Sequence, residues 1–182
     1  MLKKLLSFFL FLILSIAPCC ADTIAPLPEG WMYAGYTYGG ITFPVPADVV
    51  PYELSDQEQA MGIVLVCYNA DFMLQLRRFT PNELSWEQYR DLMLGTSTAQ
   101  VRYSGDDQRV LCVTNTMPSP DSELVGIALN GLDGNLYKIS IFTGFDGDCS
   151  PNAVVWDIAQ IIADYTSQMD FADWLPGASA AQ

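Results

Sequence analysis

Four short segments in the second half of the chain constrain its fold more than any other feature. They read "AQVRYS" (99–104), "QRVLCVTNT" (108–116), "ELVGIALN" (123–130) and "LYKISIFT" (136–143). Each is rich in β-branched and aromatic residues and short enough for a strand. They are separated by "GDD", "MPSPDS" and "GLDGN", whose Gly, Pro, Asp, Asn and Ser residues favour turns for reasons of backbone geometry and local hydrogen bonding. Consecutive strands joined by tight turns make an antiparallel meander, and a meander must bury at least one face. The segment that follows supplies a cover. In "PNAVVWDIAQIIADYTSQM" (151–169), Val154, Ile158, Ile161 and Tyr165, with Val155, Ile162 and Met169, recur at helical spacing, while Asp157, Gln160, Asp164 and Gln168 are left for water. The pattern predicts an amphipathic helix laid on a sheet.

Upstream, "ITFPVP" (41–46) alternates with Ile41, Phe43 and Val45 on one face, and Pro44 and Pro46 place it at an edge or a strand end. "GIVLVCYN" (62–69) and "FMLQLRRF" (72–79) flank the connection "YNAD" and form a hairpin, with Phe72, Leu74 and Leu76 facing the core. A helix then begins at Ser85, which can cap the first turn while Gln88 reaches back to it. Trp86, Tyr89, Leu92 and Met93 give that helix one apolar face, Glu87 and Asp91 its solvated one, and Gly95 its stop. The fold class expected is α+β, an antiparallel sheet with flanking helices.

The chain opens "MLKKLLSFFLFLILSIAPCCADTIAP". Lys3 and Lys4 ahead of the apolar run Leu5–Ala17 read as a secretory signal, with cleavage after Ala21. The rival reading is lipidation at Cys19 or Cys20, which would tether the protein to a membrane. The expected organisation is a signal peptide at 1–21, an extended lead-in at 22–35, a single α+β domain at 36–170 and a tail at 171–182. Such a protein is exported, secreted or held in the cell envelope, with no transmembrane segment once the signal is gone.

Composition then removes several function classes. The 182 residues carry 21 acids against 8 bases, a net charge of −13 that becomes more negative when the two signal lysines leave. The remaining bases, Arg77, Arg78, Arg90, Arg102, Arg109 and Lys138, are scattered, so nucleic acid and anionic lipid headgroups are not expected partners. There is no histidine, which excludes Ser-His-Asp and Cys-His catalysis and His-ligated zinc or copper. Lys138 is the only lysine beyond the signal and sits in what reads as an ordinary strand. Cys67 and Cys112 lie inside apolar runs and read more simply as buried thiols than as a bridge, although export permits one disulfide among Cys67, Cys112 and Cys149.

Carboxylates are the plentiful chemical groups. In "FDGDCSPN" (145–152), Asp146 and Asp148, with Asp157 further on, have the look of a calcium loop, but Pro151 stands where such a loop needs glycine. The alternative is a helix start, with Ser150 as N-cap, Pro151 at the first helical position and Asp148 near the positive end of the dipole. No metal or cofactor is expected. Asp106 with Asp107, and Asp146 with Asp148, are the pairs a carboxylate hydrolase acting on carbohydrate would use, though all four lie in turns. The other candidate is aromatic. "GWMYAGYTYGGITF" (30–43) holds Trp31, Tyr33, Tyr36 and Tyr38, and Tyr36 and Tyr38, two apart, would share a strand face and offer a stacking surface to a sugar ring or a peptide. Trp31, Tyr36 and Tyr38 are the candidate binding residues for an unknown protein or small ligand.

The order of elements, with "GGITFPVPADV" near the mature start and "LSWEQYRDLML" between hairpin and meander, resembles the PsbP-like fold over roughly residues 36–170. That resemblance implies an α/β/α sandwich and a non-catalytic binding or assembly role, and it transfers no functional residue.

Overall fold

The computed structural model describes residues 27–95, 99–104 and 110–167. A hairpin of β1 (Trp31–Tyr36) and β2 (Ile41–Pro46) forms a two-stranded sheet. The main sheet contains β3 (Val50–Pro51), β4 (Ile63–Tyr68), β5 (Phe72–Phe79), β6 (Ala99–Ser104), β7 (Val110–Asn115), β8 (Val125–Asn130) and β9 (Leu136–Thr143). Its order is β3-β4-β5-β9-β8-β7-β6, with every neighbouring pair antiparallel. Among the described residues three α-helices accompany the strands: α1 (Asp56–Ala60), α2 (Trp86–Leu94) and α3 (Val154–Ser167). The architecture is α+β, as the strand pattern predicts.

The meander closes onto the earlier hairpin through β9, which pairs along its whole length with β5. Register divides the sheet into two faces. On the first, Phe72, Leu74 and Leu76 of β5 stand beside Thr143, Ile141 and Ile139 of β9, then Val125 and Ile127 of β8 and Cys112 of β7. These side chains are almost wholly buried beneath Ile41, Phe43 and Val45 of β2 and Val155, Ile158, Ala159 and Ile162 of α3. The hairpin and the last helix together cover this face. On the second face, Leu111, Val113, Ala128 and Leu136 are covered by Trp86 and Tyr89 of α2.

The structure departs from the sequence expectation in four places. The lead-in expected through residue 35 enters the fold at Trp31, because Met32, Ala34 and Tyr36 pack against the core from β1. Helix α1 was not expected, although Ser55 and Glu58 form a complete capping box: the Glu58 N–H donates to Ser55 Oγ at 3.3 Å, and the Ser55 N–H to Glu58 Oε2 at 2.7 Å. Ser150 and Pro151 do not open α3, which begins at Val154. The carbonyl of Ser150 instead accepts both the Ala153 N–H and the indole N–H of Trp156, at 3.0 and 2.9 Å, so a turn precedes the helix and pins its first winding. Finally, two residues assigned to apolar faces are in solvent: Val154 is 54% exposed on α3 and Leu92 57% on α2. Trp156, omitted from the expected face, is buried in the core instead. Gln168 and Met169, and the segments expected to be a signal peptide (1–21) and a tail (171–182), lie outside the described residues.

Candidate functional site

The aromatic candidates separate into two places. Trp31 lies at one end of β1, opposite Pro46, and packs part-buried against the core. Tyr36 closes the other end of that strand, while Tyr38 sits in the short 3-10 turn that follows. Their rings meet at 5.6 Å between centroids, tilted by 54°. The two tyrosines are therefore neighbours, through a turn rather than along one strand face.

Tyr38 is 80% exposed, and Leu132, in the β8–β9 turn beside it, is 77% exposed. Backbone chemistry holds the two turns together: the Leu132 N–H donates to the Gly39 carbonyl at 3.0 Å. Gly40 has φ +64, a left-handed conformation that favours glycine at this turn, and it lies against the Leu132 side chain. Beneath lies Tyr137, fully buried, whose ring meets Tyr36 at 5.8 Å and occupies the space a Cβ on Gly39 would need. The Tyr137 hydroxyl donates to Asp133 Oδ2 at 2.8 Å, and Asn135 adds its backbone N–H and side-chain amide to the same carboxylate. Burial and the Asp133 charge push the Tyr137 hydroxyl up, whereas at Asp133 the hydrogen bonds outweigh burial and hold the carboxyl below its ordinary value. The corner is thus a rigid base carrying two exposed apolar side chains.

A second group of polar side chains lies under α2. Lys138 of β9 donates to Glu123 Oε2 at 2.7 Å and stands 5.8 Å from the centre of the Tyr89 ring. Its cross-strand neighbour is Arg77 of β5, whose guanidinium lies 4.4 Å over the Phe79 ring. The sequence offered one signal for this site, the singular Lys138, and it read there as an ordinary strand residue.

The carboxylate pairs do not assemble a catalytic centre among the described residues. Asp146 Oδ1 accepts the Asp148 N–H at 3.1 Å and Asp148 Oδ1 accepts the Ser150 N–H at 2.9 Å, two successive turns of the kind Asp makes on its own backbone. Asp157 points to solvent from α3. No group of three or more His, Cys, Asp or Glu among the described residues is placed to hold a metal ion. Asp106 and Asp107 lie outside the described residues. Glu87 and Asp91 are exposed, Glu87 taking the Ser85 hydroxyl at 3.0 Å and Asp91 pairing with Arg90 at 2.9 Å.

The three described cysteines are free thiols. Burial pushes Cys67 up to about 12 and Cys112 well above its ordinary value, which makes both poor nucleophiles. Cys149 is part-exposed, its Sγ 3.7 Å from the Pro118 carbonyl. No helix among the described residues is long and apolar enough to cross a membrane. No protein-family model matches the chain, and no curated protein matches it.

Proposed function

We propose that this is an exported, non-catalytic binding or assembly module, built as a variant of the PsbP-like α/β/α sandwich, and that the Tyr38–Leu132 corner is its contact surface. The observation that carries the reading is the exposure of these two side chains, 80% and 77%, on a base that is otherwise locked by the Tyr137–Asp133 bond. Large apolar groups carried on a backbone that buried neighbours hold in place lose less freedom on binding than groups on a loose loop. The layering supports the fold assignment: the β1–β2 hairpin and α3 cover one face of the antiparallel sheet and α2 the other.

The competing hydrolase reading rests on paired carboxylates, and the pair at 146 and 148 is engaged by its own turn. The lipid-tethered alternative at Cys19 or Cys20 is a question of attachment, which intact mass of the mature protein decides. The binding reading is tested by affinity capture from the native envelope with the wild type and with a Tyr38→Ala, Leu132→Ser double variant. The expected result is a retained partner that the variant loses while keeping its melting temperature. Equal capture by both proteins would remove the corner from the account.

A further inference from the structure

Among the described residues, helix α2 covers only part of the second face of the main sheet, lying over Leu111, Val113, Ala128 and Leu136 of β7, β8 and the start of β9. Elsewhere on this face, register sets four apolar side chains in one row. Val50 of β3 stands opposite Tyr68 of β4, Tyr68 opposite Met73 of β5, and Met73 opposite Phe142 of β9. Directly opposed residues share a face, and these alternate with Cys67, Phe72, Leu74 and Ile141, which are buried in the core on the other side. The strip runs on at Tyr52, whose N–H donates to the Val66 carbonyl at 2.9 Å and which alternation keeps on the side of Val50. Phe145, in the turn after β9, meets the Tyr68 ring edge to face at 5.8 Å between centroids.

This strip faces solvent: Val50, Tyr52 and Met73 are 49%, 46% and 37% exposed, and Phe145 84%. A contiguous apolar face in water marks a contact surface, whereas single exposed apolar residues are ordinary. It lies at the far end of β9 from the Tyr38 corner, since Leu132 precedes that strand and Phe145 follows it, about 26 Å apart along eight residues. The two surfaces are independent. Each exposed member of the strip has an exposed acid within two positions: Asp48 before Val50, Glu53 after Tyr52, Asp71 before Met73 and Asp146 after Phe145. On this face the bases of β5 and β9, Arg77 and Lys138, stand four residues along from Met73 and Phe142, about 13 Å away. Arg77 is set over the Phe79 ring and Lys138 is paired with Glu123. The rim of the strip is therefore anionic.

We infer that the strip formed by Val50, Tyr52, Tyr68, Met73, Phe142 and Phe145 docks a basic amphipathic helix of a partner protein, its aliphatic stripe on the sheet and its lysines or arginines over the flanking acids. The dimensions suit one helix: four neighbouring strands span about 14 Å, and a helix with its side chains is about 10–12 Å across. Met73 gives the strip a flexible, polarisable side chain that adapts to the stripe laid on it. Charge decides the occupant. A second copy in two-fold contact would set these acids against the same acids, on a chain of net charge −13. The chain's own final residues, 168–182, carry Asp170 and Asp173 and no base. An anionic lipid surface is repelled in the same way. A cationic helix is attracted by the rim and held by the apolar row.

The probe is a fluorescein-labelled peptide of about 15 residues, leucine at helical spacing and lysine elsewhere, read by anisotropy against the mature protein. Saturable binding that weakens with salt is expected, with a shuffled Leu/Lys peptide and a Leu/Glu counterpart each weaker by about tenfold or more. Met73→Ser combined with Phe145→Ser is expected to weaken the Leu/Lys helix by about tenfold at an unchanged melting temperature. The Tyr38→Ala, Leu132→Ser variant should bind it as the wild type does, which separates this strip from the corner. Absence of binding, equal binding of the shuffled peptide, or unchanged affinity in the Met73→Ser, Phe145→Ser variant would reduce the effect to general attraction by an acidic chain and overturn the inference. A wild-type dimer in sedimentation equilibrium that the same variant dissolves would give the strip to a second copy and overturn it as well. Should that variant melt lower, Val50→Lys at the sheet edge decides alone: a loss of about tenfold supports the strip, and unchanged affinity overturns it.

Discussion

The two faces of the main sheet are built from the same strands and covered in different ways. The face under the β1–β2 hairpin and α3 is mostly apolar, with Phe72, Leu74, Leu76, Ile139 and Ile141 fully buried and the hydroxyls of Thr114 and Thr143 as buried polar exceptions. The face under α2 mixes Leu111, Val113 and Leu136 with Arg77, Lys138 and Glu123, and holds three of the five buried side-chain donors without partners among the described residues. Apolar burial is the main favourable term in folding, and partnerless donors oppose it. The difference therefore places the larger share of the apolar burial, and with it of the stability, in the first face.

The largest break in that comparison should come from Phe72→Ala, which opens a cavity in the covered face and is expected to cost about 3–5 kcal/mol in urea denaturation. Leu132→Ser, on the corner, should stay within about 0.5 kcal/mol of wild type in the same assay. Next in size is Gly144→Ala. A Cβ there meets the Ala70 backbone carbonyl, which cannot swing aside, and a loss of about 1–3 kcal/mol is expected. On the α2 side, Ser85→Ala removes the hydroxyl that accepts the Gln88 N–H at 3.2 Å and should cost about 1 kcal/mol.

Acid and alkali sharpen the contrast further. Asp133 is held below its ordinary 3.8, so its contribution is present above that pH and is lost as pH falls through the lower folded value. Tyr137, pushed above its ordinary 10.0, contributes below that pH and loses the contribution as pH rises toward its folded value. The melting temperature should fall at both extremes, and Asp133→Asn should flatten the acid arm. Cys67, raised from 9.0 to about 12, adds to the alkaline loss above pH 9. The smallest effect is chemical: at neutral pH a thiol reagent should modify Cys149 first, and reach Cys67 and Cys112 only on unfolding.

Much of this fold could be read from residues close together in the chain. The hairpin around "YNAD", the pairing of the meander strands, and the Ser85–Gln88 capping box all depend on contacts within a few positions, and the structure carries each of them, the "GDD" turn lying outside the described residues. The start of α3 was misjudged because Ser-Pro is a good helix opening by local chemistry, while Trp156 makes a tertiary demand on the Ser150 carbonyl that keeps the turn open. Helix α1 escaped because five residues are too few for a periodic pattern, although its capping box stood in the sequence. Tyr36 and Tyr38 were found from spacing alone, but their support came from Leu132, Asp133 and Tyr137, almost 100 positions away. The ion pair under α2 and the rings beside it draw on residues 77, 79, 89, 123 and 138, and no local pattern joins them.

The division of labour between the faces is most directly tested by native-state amide hydrogen exchange, comparing Ile158–Ile162 in α3 with Tyr89–Met93 in α2. The α3 amides are predicted to exchange only through global unfolding, with the full free energy of the domain, while the α2 amides exchange through a local opening of lower free energy. Amides of α3 that exchange as readily as those of α2 would contradict the account.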